Sequence, residues 1–427
     1  MAQKSPDSVT RQPRVFYGWI IVFITAIKGS FMIGSAQFAS SVFLVPMQEE
    51  LGWSRAQLFG ALTVRGIVAG ALQPFVGQLG DRITAPRIVV PIGVIILGAS
   101  MIALRWVDSI ALYYVCYGVL GAIGMSLISN AIMDAIVFKW FIRKRPQVVM
   151  WTNMGPGTAP LIFPVMLTGL IAMVGWRDAW LWFGIATIVV LLPLSFLIRT
   201  RPEHLGLQPD GIQVPTQQAS SSQQRPNADV YERSYTRREA LHSRSFWFLT
   251  LAMAFGIFGV PGFQAHWIPY FQENGYQPGL AASVLLVFGL AGLTSRFLWA
   301  YITVRFPVRN AFISQAALSI VATIAILFIS NVVVLFIWAV FAGMTLVSFF
   351  QMQALISVTY FGREHIGAIR GLMWPLSMLS AASAPSILGA LRDWTGSYNL
   401  PFIVVAISWA ICVICLLLAR PMQPARQ

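Results

Sequence analysis

The chain has 427 residues, of which 57% are hydrophobic and only 10% charged, and it carries a formal net charge of +14. That polar inventory is far too small to cover a soluble globule of this size, so an ordinary water-soluble enzyme or binding module is excluded and a lipid bilayer is required. The basic residues are scattered between apolar runs and form no basic domain interleaved with aromatics, which excludes nucleic acid as the partner.

In chain order, residues 1–15 hold no short apolar core with a small-residue cleavage site and read as a retained tail. Apolar runs of about twenty residues then recur, each long enough to cross a hydrocarbon core as a helix. They are continuous and not alternating, and inside lipid a helix lets such a run satisfy its own backbone polar groups. The reading places twelve spans at 16–46, 55–79, 88–106, 110–137, 146–174, 178–199, 246–271, 279–304, 309–329, 331–359, 367–391 and 399–419. Between spans six and seven, segment 200–244 is rich in Gln, Ser and Pro and reads as a cytoplasmic linker, with a short amphipathic helix at YTRREALHS. The fold class is an all-α membrane protein with a six-helix bundle over 16–199, a second over 245–420 and a cytoplasmic tail at 421–427.

Charge orients the spans. The odd-to-even connections and adjoining span ends hold only Arg55, Arg105, Arg177 and Arg392, whereas 22 of the 29 basic residues fall on the tails and the even-to-odd connections. By the positive-inside rule, that second side and both termini are cytoplasmic. Three basic residues remain, Lys28, Arg65 and Arg296, each well inside a span. Cys116, Cys412 and Cys415 lie within apolar spans, where they act as small hydrophobes. No GxxxxGK[ST] loop, HExxH pair or GxSxG elbow occurs, and there are only four histidines, so ATP drive, a metal site and an enzymatic role are not expected.

A weak internal repeat runs at an offset of about 220 residues. Trp140-Phe141-Ile142-Arg143 matches Tyr360-Phe361-Gly362-Arg363, Gly175-Trp176-Arg177 matches Gly396-Ser397-Tyr398, and Gly52-Trp53-Ser54 matches Gly275-Tyr276-Gln277. Two repeated bundles leave a cleft near the bilayer midplane that opens to each side in turn, which is transporter architecture.

The loop Gly77-Gln78-Leu79-Gly80-Asp81-Arg82, with Arg87 following, resembles the signature loop of the major facilitator superfamily. That resemblance implies a latch in which the acid and neighbouring arginines hold the cytoplasmic ends of the halves. Physically, Asp81 can accept from a helix N-terminus or an arginine of the other half. The counterpart after span eight, Trp299 to Arg305, has lost the pattern and carries Thr303 where an acid would fall. Trp140-Phe141-Ile142-Arg143-Lys144-Arg145-Pro146, leading to Gly155 and Gly157, resembles the start of span five in the monocarboxylate porter family, with Met150 where that family usually has glycine. Phe16-Tyr17-Gly18-Trp19, the run Arg201-Pro202-Glu203 through Gly206 to Pro209-Asp210-Gly211, and Leu391-Arg392-Asp393-Trp394 through Tyr398 support it. The style is that of the bacterial branch with oxalate and formate exchangers, which implies a prokaryotic cell membrane.

An arginine inside a span costs roughly 2.5 to 3.5 kcal/mol unless it faces a cavity or a partner. Arg296 lies where the resemblance implies the arginine that grips the substrate carboxylate; the alternative is snorkelling or a structural pair. The acid that animal members carry one turn earlier is replaced by Gly292. Lys28 and Arg65 have no acid at comparable depth and would repel each other without an anion between them, against snorkelling or packing. Asn153, His266, Tyr117 and Phe350 are further candidate lining residues, each with helix packing as its competing reading. His266 also has the titration range for proton handling. Asp134 reads as a partner of Lys139 or the nearby basic run, with a proton relay as the lesser role.

The expected function is secondary active transport of a small, monocarboxylate-like organic anion by alternating access, as proton symport or anion exchange. The alternative is export of larger amphipathic or multiply charged organic anions. The implied partners are the carboxylate, protons in the symport case, and lipid. No cofactor is called for, and a monomer suffices for transport.

Overall fold

The computed structural model describes residues 16–82, 85–205, 207–211, 234–276 and 278–420. The tails expected at 1–15 and 421–427, and residues 83–84, 206, 212–233 and 277, lie outside the described residues. Everything that is described folds as helices and short connections.

Nine helical stretches among these residues are long and apolar enough to cross a membrane. Eight of them each make one crossing: α1 (Gly18–Val42), α3 (Ala85–Trp106), α4 (Ile110–Trp140), α7 (Arg244–Glu273), α8 (Pro278–Arg305), α9 (Val308–Phe328), α10 (Val332–Phe361) and α12 (Asn399–Leu418). The ninth, Arg145–Phe196, contains Gly175 at φ 76° and ψ 164°, so it is two rods, α5 (145–174) and α6 (176–196). Two more helices have membrane length with a weaker apolar character, α2 (Arg55–Asp81) and α11 (Ile366–Thr395). That makes twelve rods, at the positions the hydropathy pattern indicates.

The repeat has a structural cause. Gly52, Gly175, Gly275 and Gly396 all take a positive φ, between 69° and 79°, so each paired motif puts a glycine where the chain turns, although Gly175 at ψ 164° and Gly396 at ψ 3° turn it differently. Trp140 Nε1 donates to the Arg199 carbonyl at 2.7 Å, and Tyr360 Oη donates to the Ala419 carbonyl at 2.9 Å. Each bond ties the end of a fourth helix to the end of the sixth helix of its own half, across the same 59 residues. Both fourth helices are also interrupted at matching points: α4 between Leu127 and Asn130, and α10 between Leu346 and Phe349. The sequence reading did not foresee these breaks.

Each half has its own buried apolar cluster, one built from α1 to α6 and one from α7 to α12, the latter joined by Ala135, Phe138 and Val149. The halves meet most closely where α2 crosses α11. There a side-chain carbon on Gly77 would strike the Gly367 carbonyl, and one on Gly371 would meet the Gln73 carbonyl at 2.6 Å. Small residues thus let two backbones touch, which is how helices associate when lipid removes the hydrophobic drive. These two rods are the less apolar ones because α2 also carries Arg65, Gln73, Gln78 and Asp81, and α11 carries Arg370, Arg392 and Asp393.

From the linker, residues 237–242 form one helix, closed by a capping box between Thr236 and Glu239. Its upstream part, Pro209–Gly211, is a single tight turn with Asp210 at φ 61°.

The paired aromatic ties make a clean test. Tyr360→Phe removes one buried hydrogen bond and should cost about 1 kcal/mol, read as lowered thermal stability in detergent. Trp140→Phe should cost more because indole volume is lost too. The two should add, since they sit in separate halves; a strongly non-additive pair would contradict independent folding of the ties.

Candidate functional site

The end of the bundle that carries residues 16 and 420 and the α2–α3 turn is the terminal face; the other is the far face. At the terminal face the halves are bolted together. The Asp81 carboxylate accepts from the Gly367 amide at 2.9 Å and the Ala368 amide at 2.7 Å, so an acid of the first half caps the N-terminus of α11 in the second. Gly367 has no side chain to block this approach: a carbon there would lie 3.0 Å from Asp81 Oδ1. Lys139 Nζ donates to the carbonyls of Gly80 and Asp81 at 3.1 and 2.9 Å, and Arg363 Nη1 crosses to the Lys139 carbonyl at 3.1 Å. Arg82 and Arg87, expected in the same latch, are exposed and make no bond to a described residue of the other half. Arg363 makes the crossing in their place.

A second bolt corrects the reading of Asp134. It pairs with Arg370 of α11, not with Lys139, and both side chains are nearly buried, at 13% and 10% exposure. Asp134 and Lys139 are five residues apart on one helix and therefore point in different directions. Arg370, counted with the surface charges in the sequence reading, is the functional residue that reading missed most clearly.

Just inside this bolt is a small polar cavity between the halves, walled by Asn130, Asp134, Thr152, Asn153, Gln353 and Arg370, with Phe350 and Trp374 as its apolar part. Asn153 donates to its own helix at the Val149 carbonyl, 2.8 Å away, and Phe350 is 39% exposed. Pro156 is another wall, and at the next residue, Gly157, the guanidinium of Arg296 lies directly against α5: a side-chain carbon on Gly157 would be 2.6 Å from Nη1. Arg296 is 7% exposed, and among the described residues it has no carboxylate partner and its Nη1 has no acceptor. Beside it, Gln351 gives its amide to the Arg296 carbonyl at 3.3 Å and leaves its own oxygen unpaired. The break in α10 brings these groups together, with Ser348 and Ser295 sharing a 2.8 Å hydrogen bond. At Gly292, where an acid is missing, a side-chain carbon would lie 2.7 Å from Val347, so a carboxylate there would need Val347 to move.

The remaining candidates are placed elsewhere. Arg65 is 3% exposed and lies within the first half, 4.7 Å above the Tyr117 ring, with long bonds to the Ser35 carbonyl at 3.3 Å and to Met125 Sδ at 3.5 Å. Its Nε is unpaired. Tyr117 Oη donates to the carbonyls of Ser35 and Ala36, both 3.2 Å away, inside a widened turn of α1 at Gly34–Phe38. Lys28 differs from the expectation of an amine open to the cleft. It donates to the Ile128 carbonyl and, at 3.4 Å, to that of Ser129, satisfying oxygens freed by the α4 break. His266 also differs from a free proton carrier: its Nε2 is 2.9 Å from the Pro385 carbonyl in the same half. A carbonyl only accepts, so the proton is on Nε2.

The far face is held differently. Arg177 bonds Glu50 at 2.9 Å and Asp108 at 2.8 Å, and Arg105 bonds Asp178 at 3.0 Å, all in the first half. Arg392 pairs with Glu273 in the second. The Arg177 bond, and after it that from Trp176, holds the Glu50 carboxyl below its ordinary range.

Comparison with known proteins agrees with this architecture. Residues 27–385 match the family described as the Major Facilitator Superfamily. The chain is 22% identical to the "Oxalate:formate antiporter" of Oxalobacter formigenes, covering 88% of this chain and 85% of the relative. It is 24% identical to the "Probable L-galactonate transporter" of Escherichia coli (strain K12), covering 85% and 81%, and 19% identical to "Monocarboxylate transporter 12" of Homo sapiens, covering 100% and 85%. In fold it is similar to the E. coli fucose:proton symporter, with a TM-score of 0.69 at 12% identity over 95% of this chain and 100% of that one.

Asp81→Ala should remove the cross-half cap and cost the terminally closed state about 1 to 3 kcal/mol, as expected for hydrogen bonds to a charged acceptor. Spin-label distances between the terminal ends of α2 and α11 should then lengthen. An unchanged distance distribution would show that the cap does not govern closure.

Proposed function

Because this chain belongs to the major facilitator superfamily, a family of membrane transporters, we propose that it is a secondary transporter of small organic anions that works by alternating access. The halves 16–199 and 245–420 would rock about the cavity, joined by segment 200–244. The terminal face, where most of the basic residues collect, is taken as cytoplasmic, so the state described is closed to the cytoplasm. Coupling by proton symport or by exchange of one anion for another fits the site equally, because Gly292 leaves α8 without an acid next to Arg296.

The observation that carries the reading is the Arg296 guanidinium, buried where α8 crosses α5 with an unpaired Nη1 and no carboxylate. A buried cation without a counter-ion is costly. A carboxylate brought by the substrate offers a planar pair of oxygens matched to the guanidinium fork, and removes that cost only while it is bound. The relatives support the chemical class: oxalate, formate, galactonate and monocarboxylates all present a carboxylate. Arg65, a second buried guanidinium without an acid, favours a multiply charged anion as the second reading, including export of larger amphipathic acids.

The test is a thermal-shift screen of purified protein against oxalate, formate, lactate and galactonate, followed by uptake of the stabilising acid into proteoliposomes. A bound acid raises apparent stability by mass action. Arg296→Gln should abolish the shift, and Arg296→Lys should weaken binding about tenfold or more, because an ammonium cannot make the two-pronged contact. Equal stabilisation by neutral sugars or by amines, unchanged in Arg296→Gln, would sink the anion reading.

A further inference from the structure

The polar cavity holds a second cation that nothing above employs in binding. Arg370 is 8% exposed, and its bond to Asp134 is the only hydrogen bond its guanidinium makes to a described residue. A guanidinium presents five N–H donors in a planar fork, so most of its capacity is turned to a cavity also walled by Asn130, Thr152, Asn153 and Gln353. The side-chain amides of Asn130, Asn153 and Gln353 are neutral groups whose N–H donors can serve an oxyanion.

What Arg370 holds is already a carboxylate. Asp134 is a tethered version of the chemical group that the anion reading assigns to the substrate, and it is attached to the opposite half of the molecule. The Lys28 amine is bonded to the Ile128 and Ser129 carbonyls, at the start of the helical stretch that carries Asp134. If a free carboxylate replaces it on Arg370, Asp134 keeps a nearby positive charge and is not stranded. The exchange leaves Arg370 with an anion and Asp134 with a cation near it, so it strands neither of the two charges it separates.

We propose that Arg370 is a second anion-binding residue, on the terminal side of Arg296, which takes a substrate carboxylate in place of Asp134. Because the bond displaced joins α4 to α11, occupation of this site removes one of the bolts of the terminal face. The arriving anion therefore loosens the closure that stands between it and the cytoplasm. The inference rests on the anion reading of the Arg296 site, but it concerns a different residue and is tested without any transported acid.

The test uses full-length protein in inside-out vesicles, with Cys116, Cys412 and Cys415 replaced by alanine and a reporter introduced as Ala354→Cys on the cavity wall. Ala354 is 3% exposed and belongs to α10. The reporter is labelled from the cytoplasmic side with the anionic sulfonatoethyl and the cationic trimethylammonioethyl methanethiosulfonates, each rate being normalised to a free thiol. The anionic reagent should react about tenfold faster or more, as focused positive charge predicts. Asp134→Asn should widen that preference, Arg370→Lys should keep it, and Arg370→Gln should abolish it. Arg296→Gln should leave it in place, so the failure of one site is separable from the failure of the other. Equal rates for the two reagents, a preference indifferent to Arg370→Gln, or no cytoplasmic labelling in a protein that transports would each overturn the proposal.

Discussion

The structure depends on two backbones being allowed to touch. A carboxylate can cap a helix of the opposite half only if the helix that carries it lies within hydrogen-bond reach, and Gly77, Gly367 and Gly371 provide that reach by presenting no side chain where α2 crosses α11. Once the helices are that close, Asp81 meets the free amides at the start of α11 and the charge of the helix end favours it. The contact is strong because it is short and charge-assisted, yet it involves a few bonds at one end of a long interface. Such a closure can be firm and still be reversible within the energies that binding a small ligand supplies.

Interior charge follows from the same arrangement. Asp134 neutralises Arg370, and the Lys28 ammonium is absorbed by carbonyls that the α4 break sets free. Among the described residues, Arg65 has main-chain oxygen, a hydroxyl, sulfur and an aromatic face around it and no acid, and Arg296 has less. Those two cations are the unpaid part of the interior electrostatics, and they are where an anionic ligand would be most welcome. Positive charge is retained in the apolar interior at two levels, one inside the first half and one at the meeting of the halves.

Much of this was legible in the sequence, for reasons of scale. Twenty-residue apolar runs fix the rods, and the Gly-aromatic motifs about 220 residues apart mark turns where glycine takes a positive φ. Arg296 stood out because a charge in such a run demands an explanation. The α4 and α10 breaks were not legible: Ser126-Leu127-Ile128-Ser129 and Thr345-Leu346-Val347-Ser348 hold neither proline nor glycine, and read as uninterrupted spans. Arg370 looked like a surface charge because it lies four residues into its helix, and its partner Asp134 belongs to the other half. Lys28 finds its acceptors a hundred residues away, a separation that no local pattern reports.

The two faces are built on different rules, and the difference has a mechanical consequence. At the far face, Arg177, Arg105 and Arg392 bond acids of their own half, so those bonds persist when the halves move. At the terminal face, Asp81, Arg370 and Arg363 bond groups of the opposite half, so those bonds must break. Between them, the starts of α5 and α11 are also tied to the segment that joins the halves. Asp210 accepts from the amides of Ile142, Arg143 and Lys144, while Ser234 accepts from the Glu364 amide and Tyr235 donates its own to the Phe361 carbonyl. Asp210 thus gives the α5 start an acid from the connecting segment, where α8 and Thr303 supply none: the Thr303 hydroxyl bonds only within its own helix. The two repeated helix starts are therefore held unequally: Asp210 of the connecting segment braces the turn that leads into α5, and Asp81 of the other half caps α11. Opening the terminal face strips the cap from α11 alone, which makes that helix end the place where the cost of opening is concentrated.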